Sequence, residues 1–247
     1  YTIDGGNLNK ITSNPNADSM TLDSWLDKMR YRHKSKRRQA TNICFGVGTV
    51  GLCFLDIPLD KYNDFLQKYY DSGIDDTLSS YEPKFMGECF GKTFKMIFDM
   101  DYYDKNIMSN EMLQNILSCL RKLTNGKSDI YVTESITEKV DGTCCWTKSG
   151  YHFILPDLIV DLDTMLETRR DFILELSKIY SDIDWNEMID ENIYYNNFRM
   201  MGSKKTKQQI IMESLHKLKL LINKSGEIDI NLNMDFELFK RLSIVVV

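Results

Sequence analysis

The chain has 247 residues, of which 43% are hydrophobic and 27% are charged, and it contains only four prolines. This composition suits a sizeable core in one large domain or two small ones, and it excludes a disordered chain. The formal net charge of −5 at pH 7 and the pI near 5.3 exclude a uniformly basic nucleic-acid binder, although a locally basic channel is compatible with them. No apolar run approaches the roughly 20 residues of a membrane helix, so we expect no membrane partner.

The six cysteines are scattered along the chain, and none of them forms a C-x-x-C pair. Since the chain has only three histidines, we expect no structural zinc site. Free thiols are typical of reducing compartments, which predicts an intracellular protein. The chain begins at Tyr1 and ends on the apolar stretch "SIVVV", and we interpret it as a domain from a longer polypeptide.

The elements predicted along the chain mix helices and strands without strict alternation. Residues 1–20 are rich in Asn, Ser, Gly and Asp and predict a flexible arm, which is followed by one domain over residues 21–247. Helical signals cover residues 21–40, 59–73, 109–123, 163–180 and 207–224, and strand signals cover residues 43–55, 93–104, 129–135 and 144–160. We therefore expect an α+β fold.

The stretch "GVGTVG", residues 46–51, matches the G-x-G-x-x-G pattern of dinucleotide-binding folds. Such a site requires a helix to begin inside the motif, whereas here "LCFLDIP" follows, which is typical of a strand. We therefore predict a glycine-rich hairpin and no dinucleotide site.

Two carboxylates lie at the end of the strand signal "MIFDMD". Asp99 and Asp101 are two positions apart, and alternate residues of a strand point to the same face. Carboxylates held side by side repel each other unless a proton or a cation lies between them, and oxygen ligands of this kind suit Mg²⁺ or Mn²⁺. The alternative is an acidic strand end that faces water.

The segment "WTKSGYHFILP" places a histidine among the apolar residues of a strand. His152 in such a setting is most often a satisfied core group. Lys148 lies four positions earlier, however, and Gly150 allows a ligand to approach the backbone closely. A lysine and an imidazole at one sheet edge could together hold a triphosphate.

A cationic segment, "NIYYNNFRMMGSKK", follows a third acidic residue, Asp190. Arg199 lies between two apolar residues, so a strand there would bury its neighbours and direct the guanidinium across the sheet. Arginine makes bidentate contacts with phosphate, and Lys204 and Lys205 add point charges. The alternative is an exposed basic turn.

The run "KMRYRHKSKRRQ", residues 28–39, holds seven lysines and arginines. Such a run is either a solvated helix face or a nucleic-acid contact, because neutralising phosphates requires concentrated positive charge. The sequence leaves both interpretations open.

Together, "IFDMD", "KSGYHFILP" and "YYNNFRMMGSKK" resemble, in this order, the three motifs of the archaeo-eukaryotic primase superfamily. The likeness is to the primase-helicases of large DNA viruses, including poxviruses, and to the eukaryotic primase-polymerases. The segments "RRQATNICFGVGTVGLCFLDIP" and "FELFKRLSIVVV" resemble flanking segments of those proteins more loosely. The resemblance therefore spans roughly residues 25–247.

The resemblance implies a role for individual residues of this chain. The catalytic residues it implies are Asp99, Asp101, Asp190 and His152, and the three aspartates would bind two divalent metal ions, Mg²⁺ or Mn²⁺. The nucleotide-binding residues it implies are Lys148, Ser149, His152, Arg199 and Lys204, and the nucleic-acid-binding residues are Arg37, Arg38 and Lys205. Many members carry serine at the position of Gly150, whereas the serine of this chain, Ser149, is offset by one.

The resemblance also implies a function and an architecture. The function is that of a DNA primase or primase-polymerase, which makes short primers from NTPs or dNTPs on single-stranded DNA at the site of DNA replication. The architecture is an N-terminal αβ unit packed on an RRM-like sheet with the active site in the cleft between them, and a superfamily 3 helicase domain downstream in the full-length protein. Two rival functions are a metal-dependent nuclease and a non-catalytic nucleic-acid-binding or helicase-loading domain.

Overall fold

The computed structural model of the protein describes residues 21–33, 40–45, 52–72, 85–141, 144–203, 205–207, 210–212 and 216–246. The arm predicted for residues 1–20 lies outside these described residues, as does the turn of the predicted glycine-rich hairpin. The described residues form a mixture of helices and antiparallel sheets, so the predicted α+β class is confirmed.

Six α-helices and one 3₁₀ helix are present among the described residues. The α-helices are α1 (Leu22–Lys28), α2 (Leu59–Asp71), α3 (Asn110–Leu123), α4 (Leu162–Ile179), α5 (Trp185–Met188) and α6 (Phe236–Leu242), and the 3₁₀ helix is Asn192–Tyr195. Side-chain oxygens cap the helices that carry most of the packing: Ser109 accepts from the backbone N–H of Met112, and Asp161 accepts from that of Thr164. No helix in the described part of the chain is both long enough and apolar enough to cross a membrane.

The strands within the described residues form two five-stranded antiparallel sheets and a separate two-stranded hairpin. The first sheet has the order β1-β3-β2-β4-β8, with β1 (Arg32–His33), β2 (Asn42–Phe45), β3 (Leu52–Leu55), β4 (Phe85–Glu88) and β8 (Phe198–Arg199). The second sheet has the order β12-β11-β6-β7-β5, with β5 (Phe94–Asp104), β6 (Ile130–Asp141), β7 (Cys144–Val160), β11 (Lys217–Ile222) and β12 (Ile228–Asp229). The hairpin pairs β9 (Lys205–Lys207) with β10 (Ile210–Met212).

Each large sheet has its own hydrophobic core. The second sheet packs one face against α3 and α4, where Phe98 of β5 lies 5.0 Å from Phe172 of α4 between ring centroids. The first sheet packs against α1, α2 and α6, and its core includes Trp25, Phe65 and Phe239. Burial of aromatic side chains of this size dominates the free energy of such cores. Each sheet is therefore stabilised by its own hydrophobic core, and residues from both sheets line the site described below.

Two predicted helices differ from the structure. The helix predicted over residues 21–40 ends at Lys28, because Arg30 adopts a left-handed conformation with φ of 56° and the N–H of Tyr31 closes back on the carbonyl of Leu26. The helix predicted over residues 207–224 is wrong for its described part, which forms β10 and β11. The segment "KLKLLI" also has apolar residues two apart, and Leu220 and Ile222 are buried while Lys219 bonds to Glu134.

The hairpin prediction for the glycine-rich stretch is confirmed by its flanking strands. β2 pairs with β3 in antiparallel register, with Cys44 directly opposite Cys53. Cys44, Cys53, Cys89 and Cys119 are free thiols, and these are the cysteines whose side chains the structure describes.

Candidate active site

Three neighbouring strands present their polar side chains on one face of the second sheet. Asp99 of β5 lies opposite His152 of β7, and Asp101 lies opposite Gly150. On the other side of β7, Thr133 and Ser135 of β6 face the same two positions. Because alternate strand residues share a face, the register alone brings these groups together.

The third predicted carboxylate lies beside the edge of β5. The backbone N–H of Asp190 donates to the carbonyl of Asp99 at 2.9 Å, and the preceding Ile189 forms a bridge with Met100. The carboxylate of Asp190 accepts from the backbone N–H of Asn192 at 2.8 Å and from its side-chain amide at 2.9 Å. The short helix α5 and the turn after it thus position Asp190 beside the two aspartates of β5.

Arg199 reaches the same place from the first sheet. It lies on the edge strand β8, where it pairs with Gly87 of β4. A Cβ atom at Gly87 would lie 2.4 Å from the side-chain oxygen of Asn197, so a larger residue there would force the Asn197 side chain to move. The ring of Phe198 lies 4.6 Å from that of His152 between centroids, which joins the two sheets at this point.

These elements enclose a cavity of about 300 Å³ between the two sheets. Six of the predicted site residues line it, namely Asp99, Asp101, Lys148, His152, Asp190 and Arg199. The other lining residues are Phe85, Ser135, Thr137, Gly150, Ile193, Asn197, Phe198 and His216. The cavity therefore combines three carboxylates with four potentially cationic groups, since His216 joins Lys148, His152 and Arg199.

The surroundings of Asp99 disfavour its ionised form. Burial, and next the charge of Asp101, raise the pKa of Asp99 to about 7, although Lys148 and Arg199 act in the opposite direction. Lys148 donates a hydrogen bond to Asp101 and forms an ion pair with it. Burial by itself would lower the pKa of Lys148, yet Asp101 and its neighbours raise it, so this lysine stays charged.

The histidine and the arginine of the cavity differ in charge. Burial, followed by the nearby His216, holds the pKa of His152 well below its usual range, so its ring is neutral. Its Nε2 lies 3.7 Å from the nearest Asp99 oxygen, too far for a hydrogen bond. Burial also lowers the pKa of Arg199, with Asp99 and Asp101 opposing the shift, but an arginine remains charged after such a change.

The three aspartates have the chemistry of a divalent-cation site. Carboxylate oxygens are preferred by Mg²⁺ and Mn²⁺, and a cation would relieve the repulsion that raises the pKa of Asp99. Their present side-chain arrangement is not a ready ligand set: no three histidine, cysteine or acidic side chains within the described ranges are placed to hold a metal ion together. Asp101 is bonded to Lys148, and Asp190 to Asn192.

Among the other predicted site residues, only Ser149 has a described side chain, and it does not reach the cavity. Ser149 is fully buried, and its hydroxyl accepts a hydrogen bond from the backbone N–H of Met108 at 3.2 Å. It does not line the cavity, because its neighbours Lys148 and Gly150 occupy the cavity-facing positions of β7. Arg37, Arg38 and Lys204 lie outside the described residues, and only the backbone of Lys205, in β9, is described.

Sequence reasoning missed several residues that line the cavity. Ser135 and Thr137 follow Thr133 at every second position of β6, an alternation visible in "TESITEK". His216 lies in a segment whose spacing predicts a helix, and that wrong prediction hides its position beside the cavity. The only local signal was that it is one of three histidines in the chain.

Gly150 forms the floor between these groups. A Cβ atom there would lie 3.3 Å from Asp101 Oδ1 and 3.4 Å from the carbonyl oxygen of Ser135. Many members of the superfamily that the sequence resembles carry serine at this position. A serine here would crowd the Asp101 carboxylate. The glycine of this chain leaves that carboxylate more room.

Comparison with known protein families identifies the family to which the chain belongs. Residues 53–215 match the family described as the C962R protein N-terminal AEP domain, which is more than half of the chain. The matched range contains Asp99, Asp101, Lys148, His152 and Arg199, together with Asp190. No curated protein shows significant similarity to the chain. The chain therefore belongs to the family of C962R-type N-terminal AEP domains, within the archaeo-eukaryotic primase superfamily, whose domains are in general nucleotidyltransferases of the primase and polymerase type.

Proposed function

We propose that this domain synthesises short primers on single-stranded DNA by nucleotidyl transfer from NTPs or dNTPs, assisted by Mg²⁺ or Mn²⁺. The observation that carries the proposal is the convergence of three carboxylates with a lysine, a histidine and an arginine in one cavity. Nucleotidyl transfer requires both kinds of group, because the triphosphate is anionic and its divalent ions need oxygen ligands.

The carboxylates and the cationic groups have different tasks in this proposal. Asp99, Asp101 and Asp190 would hold the divalent ions, which when bound supply charge stabilisation at the triphosphate and lower the pKa of an attacking hydroxyl. Arg199 reaches across from the other sheet and suits bidentate contact with phosphate oxygens. Lys148 supplies a point charge near the site of Asp101.

His152 contributes a neutral donor. Because its pKa is held well below the usual range, the ring carries one N–H and can donate it to a phosphate oxygen without adding a charge to the site. The residue is 4% exposed, so bulk water hardly reaches the ring itself. Exclusion of water strengthens the interactions of phosphate with the fixed donors.

The test is de novo synthesis on unprimed single-stranded DNA with labelled nucleotides and Mg²⁺ or Mn²⁺. The double variant Asp99→Ala with Asp101→Ala should lose at least about 10³-fold in rate, because several kcal/mol of transition-state stabilisation depend on the metal ligands. The matched control is Glu167→Ala with Asp171→Ala, which removes two exposed carboxylates of α4. This control should retain full activity.

Three other results would each overturn a part of the proposal. Extension of an annealed primer without de novo products would make the domain a polymerase that does not initiate. Degradation of the template would favour a nuclease. DNA binding with neither reaction, in a protein that also fails to bind nucleotides, would favour the non-catalytic role.

A further inference from the structure

His152 is part of a stack of rings rather than an isolated side chain. The ring of His216 lies 3.6 Å from it between centroids, with an angle of only 14° between the two planes. Phe198 contacts the same ring at 4.6 Å in a tilted arrangement. Histidine side chains have a broad rotational preference at their second torsion, so these contacts limit where His152 can point.

His216 is itself fixed by a polar anchor. Its Nδ1 lies 3.1 Å from the hydroxyl oxygen of Thr133, in a pair that is buried from solvent. Thr133 lies directly opposite His152 across β6 and β7, so the anchor and the histidine that it supports share one register position. The threonine hydroxyl can donate to Nδ1 or accept from it, and either arrangement fixes the tautomer of His216.

The nature of these residues argues against simple core filling. A phenylalanine at position 216 would fill the same space without burying two polar groups, and burying them is favourable only when they are paired. His216 also lines the cavity, and its Cε1 lies 3.8 Å from where a Cβ atom at Gly150 would stand. It therefore belongs to the wall of the site as well as to its support.

We propose that His216, anchored by Thr133, is a positioning residue that holds the imidazole of His152 in the orientation needed to contact the phosphates of a bound nucleoside triphosphate. The inference rests on the proposed function for the identity of the ligand. His216 lies one residue beyond the range matched by the family, and it reaches the site from the segment that leads into β11.

The experiment compares His216→Ala, His216→Phe and Thr133→Val in two measurements. The first is binding of a nucleoside triphosphate in the presence of Mn²⁺ by calorimetry. The second is the NMR spectrum of the histidine ring protons, which can be assigned by replacing the three histidines one at a time. The matched control is His33→Ala on β1, away from the cavity.

His216→Ala should weaken triphosphate binding about 10-fold, the lower end of the effect of groups that orient a ligand from outside. His216→Phe should recover most of the affinity because it keeps the stacked ring, and Thr133→Val should lie between the wild type and His216→Ala. The ring protons of His152 should shift strongly in His216→Ala, because a ring stacked at 3.6 Å is removed. His33→Ala should change neither the affinity nor the shifts of the His152 ring protons.

Unchanged affinity in His216→Ala would overturn the inference. If that variant does not fold, Thr133→Val decides, and wild-type affinity with unshifted protons there would overturn it as well. A wild-type protein that binds no triphosphate would defeat the proposed function instead. The positioning of His152 would then be decided by the ring protons alone, which need no nucleotide.

Discussion

Two carboxylates of this protein, one buried and one partly exposed, have opposite surroundings. Glu88, on β4, is 1% exposed and accepts hydrogen bonds from Tyr62 at 3.0 Å, from the backbone N–H of Ile244 at 2.9 Å and from Ser243. Asp99, on β5, has a side chain about 20% exposed, and no described residue donates a hydrogen bond to its carboxylate. Burial is the main cause that raises the pKa of both acids.

The remaining causes separate the two sites. At Glu88 the hydrogen-bond donors oppose the effect of burial, whereas at Asp99 the carboxylate of Asp101 adds to it. The donors to Glu88 come from α2 and from the chain after α6, so this acid fastens three elements of the first sheet's core. An acid held among other acids costs stability, and such sites are typical of ligand binding.

The largest expected difference between the two sites is in stability. Glu88→Ala should lower the free energy of unfolding by about 3 kcal/mol, because buried donors lose their acceptor and a cavity remains. Asp99→Ala should leave it within about 0.5 kcal/mol of the wild type or raise it, because repulsion with Asp101 is removed. Urea unfolding of both variants measures this, and equal destabilisation would show that Asp99 is also a structural acid.

The sequence revealed one of these two carboxylates and not the other. Asp99 and Asp101 are recognisable because the strand alternation that aligns them is local. The partners of Glu88 lie 26 and about 155 residues away along the chain, so its role depends on how the first sheet and the tail pack.

The difference between local patterns and contacts that are distant in sequence also explains which cavity residues could be predicted. Lys148 and His152 follow from the alternation of one strand, and Arg199 from the chemistry of its segment. His216 depends on the sheet order, which places β11 beside β6 although about 75 residues separate the two strands in the sequence. Local sequence patterns cannot predict that β11 lies beside β6. In the segment of β11 itself, the apolar residues fit both a helical and a strand spacing.

Arg199 allows a sharper comparison, because β8 touches both regions. Phe198 pairs with Glu88, while Arg199, the next residue, lines the cavity with Asp99. Arg199→Ala should weaken triphosphate binding about 10- to 100-fold, which corresponds to the loss of about 1.5–3 kcal/mol from charge-assisted hydrogen bonds. Its effect on the unfolding free energy should be much smaller than that of Glu88→Ala.

Titration calorimetry with Arg199→Lys and Arg170→Ala completes this test. The lysine keeps the charge but loses the bidentate geometry, so we expect an intermediate affinity. Arg170 is exposed on α4, and its removal should leave binding unchanged. Wild-type affinity in Arg199→Ala would remove this arginine from the phosphate site.

The smallest expected effect is a pH dependence of stability that originates at Glu88. Its pKa in the folded protein is raised by burial above the ordinary value of about 4.3, so the folded state holds a proton that the unfolded state releases. The stabilisation is complete below about pH 4 and is lost as the pH rises through the raised pKa, with a slope of at most about 1.4 kcal/mol per pH unit.

Glu88→Gln isolates this contribution, because glutamine resembles the protonated acid and does not titrate. Its amide oxygen can accept from Ile244, and its NH₂ group can donate to the hydroxyls of Tyr62 and Ser243. Unfolding free energies of the wild type and the variant, measured from about pH 4 to about pH 8, should differ least near pH 4 and separate as the wild type loses stability with rising pH. Two parallel curves would mean that Glu88 ionises equally in both states and that its three donors fully offset the cost of burying its charge.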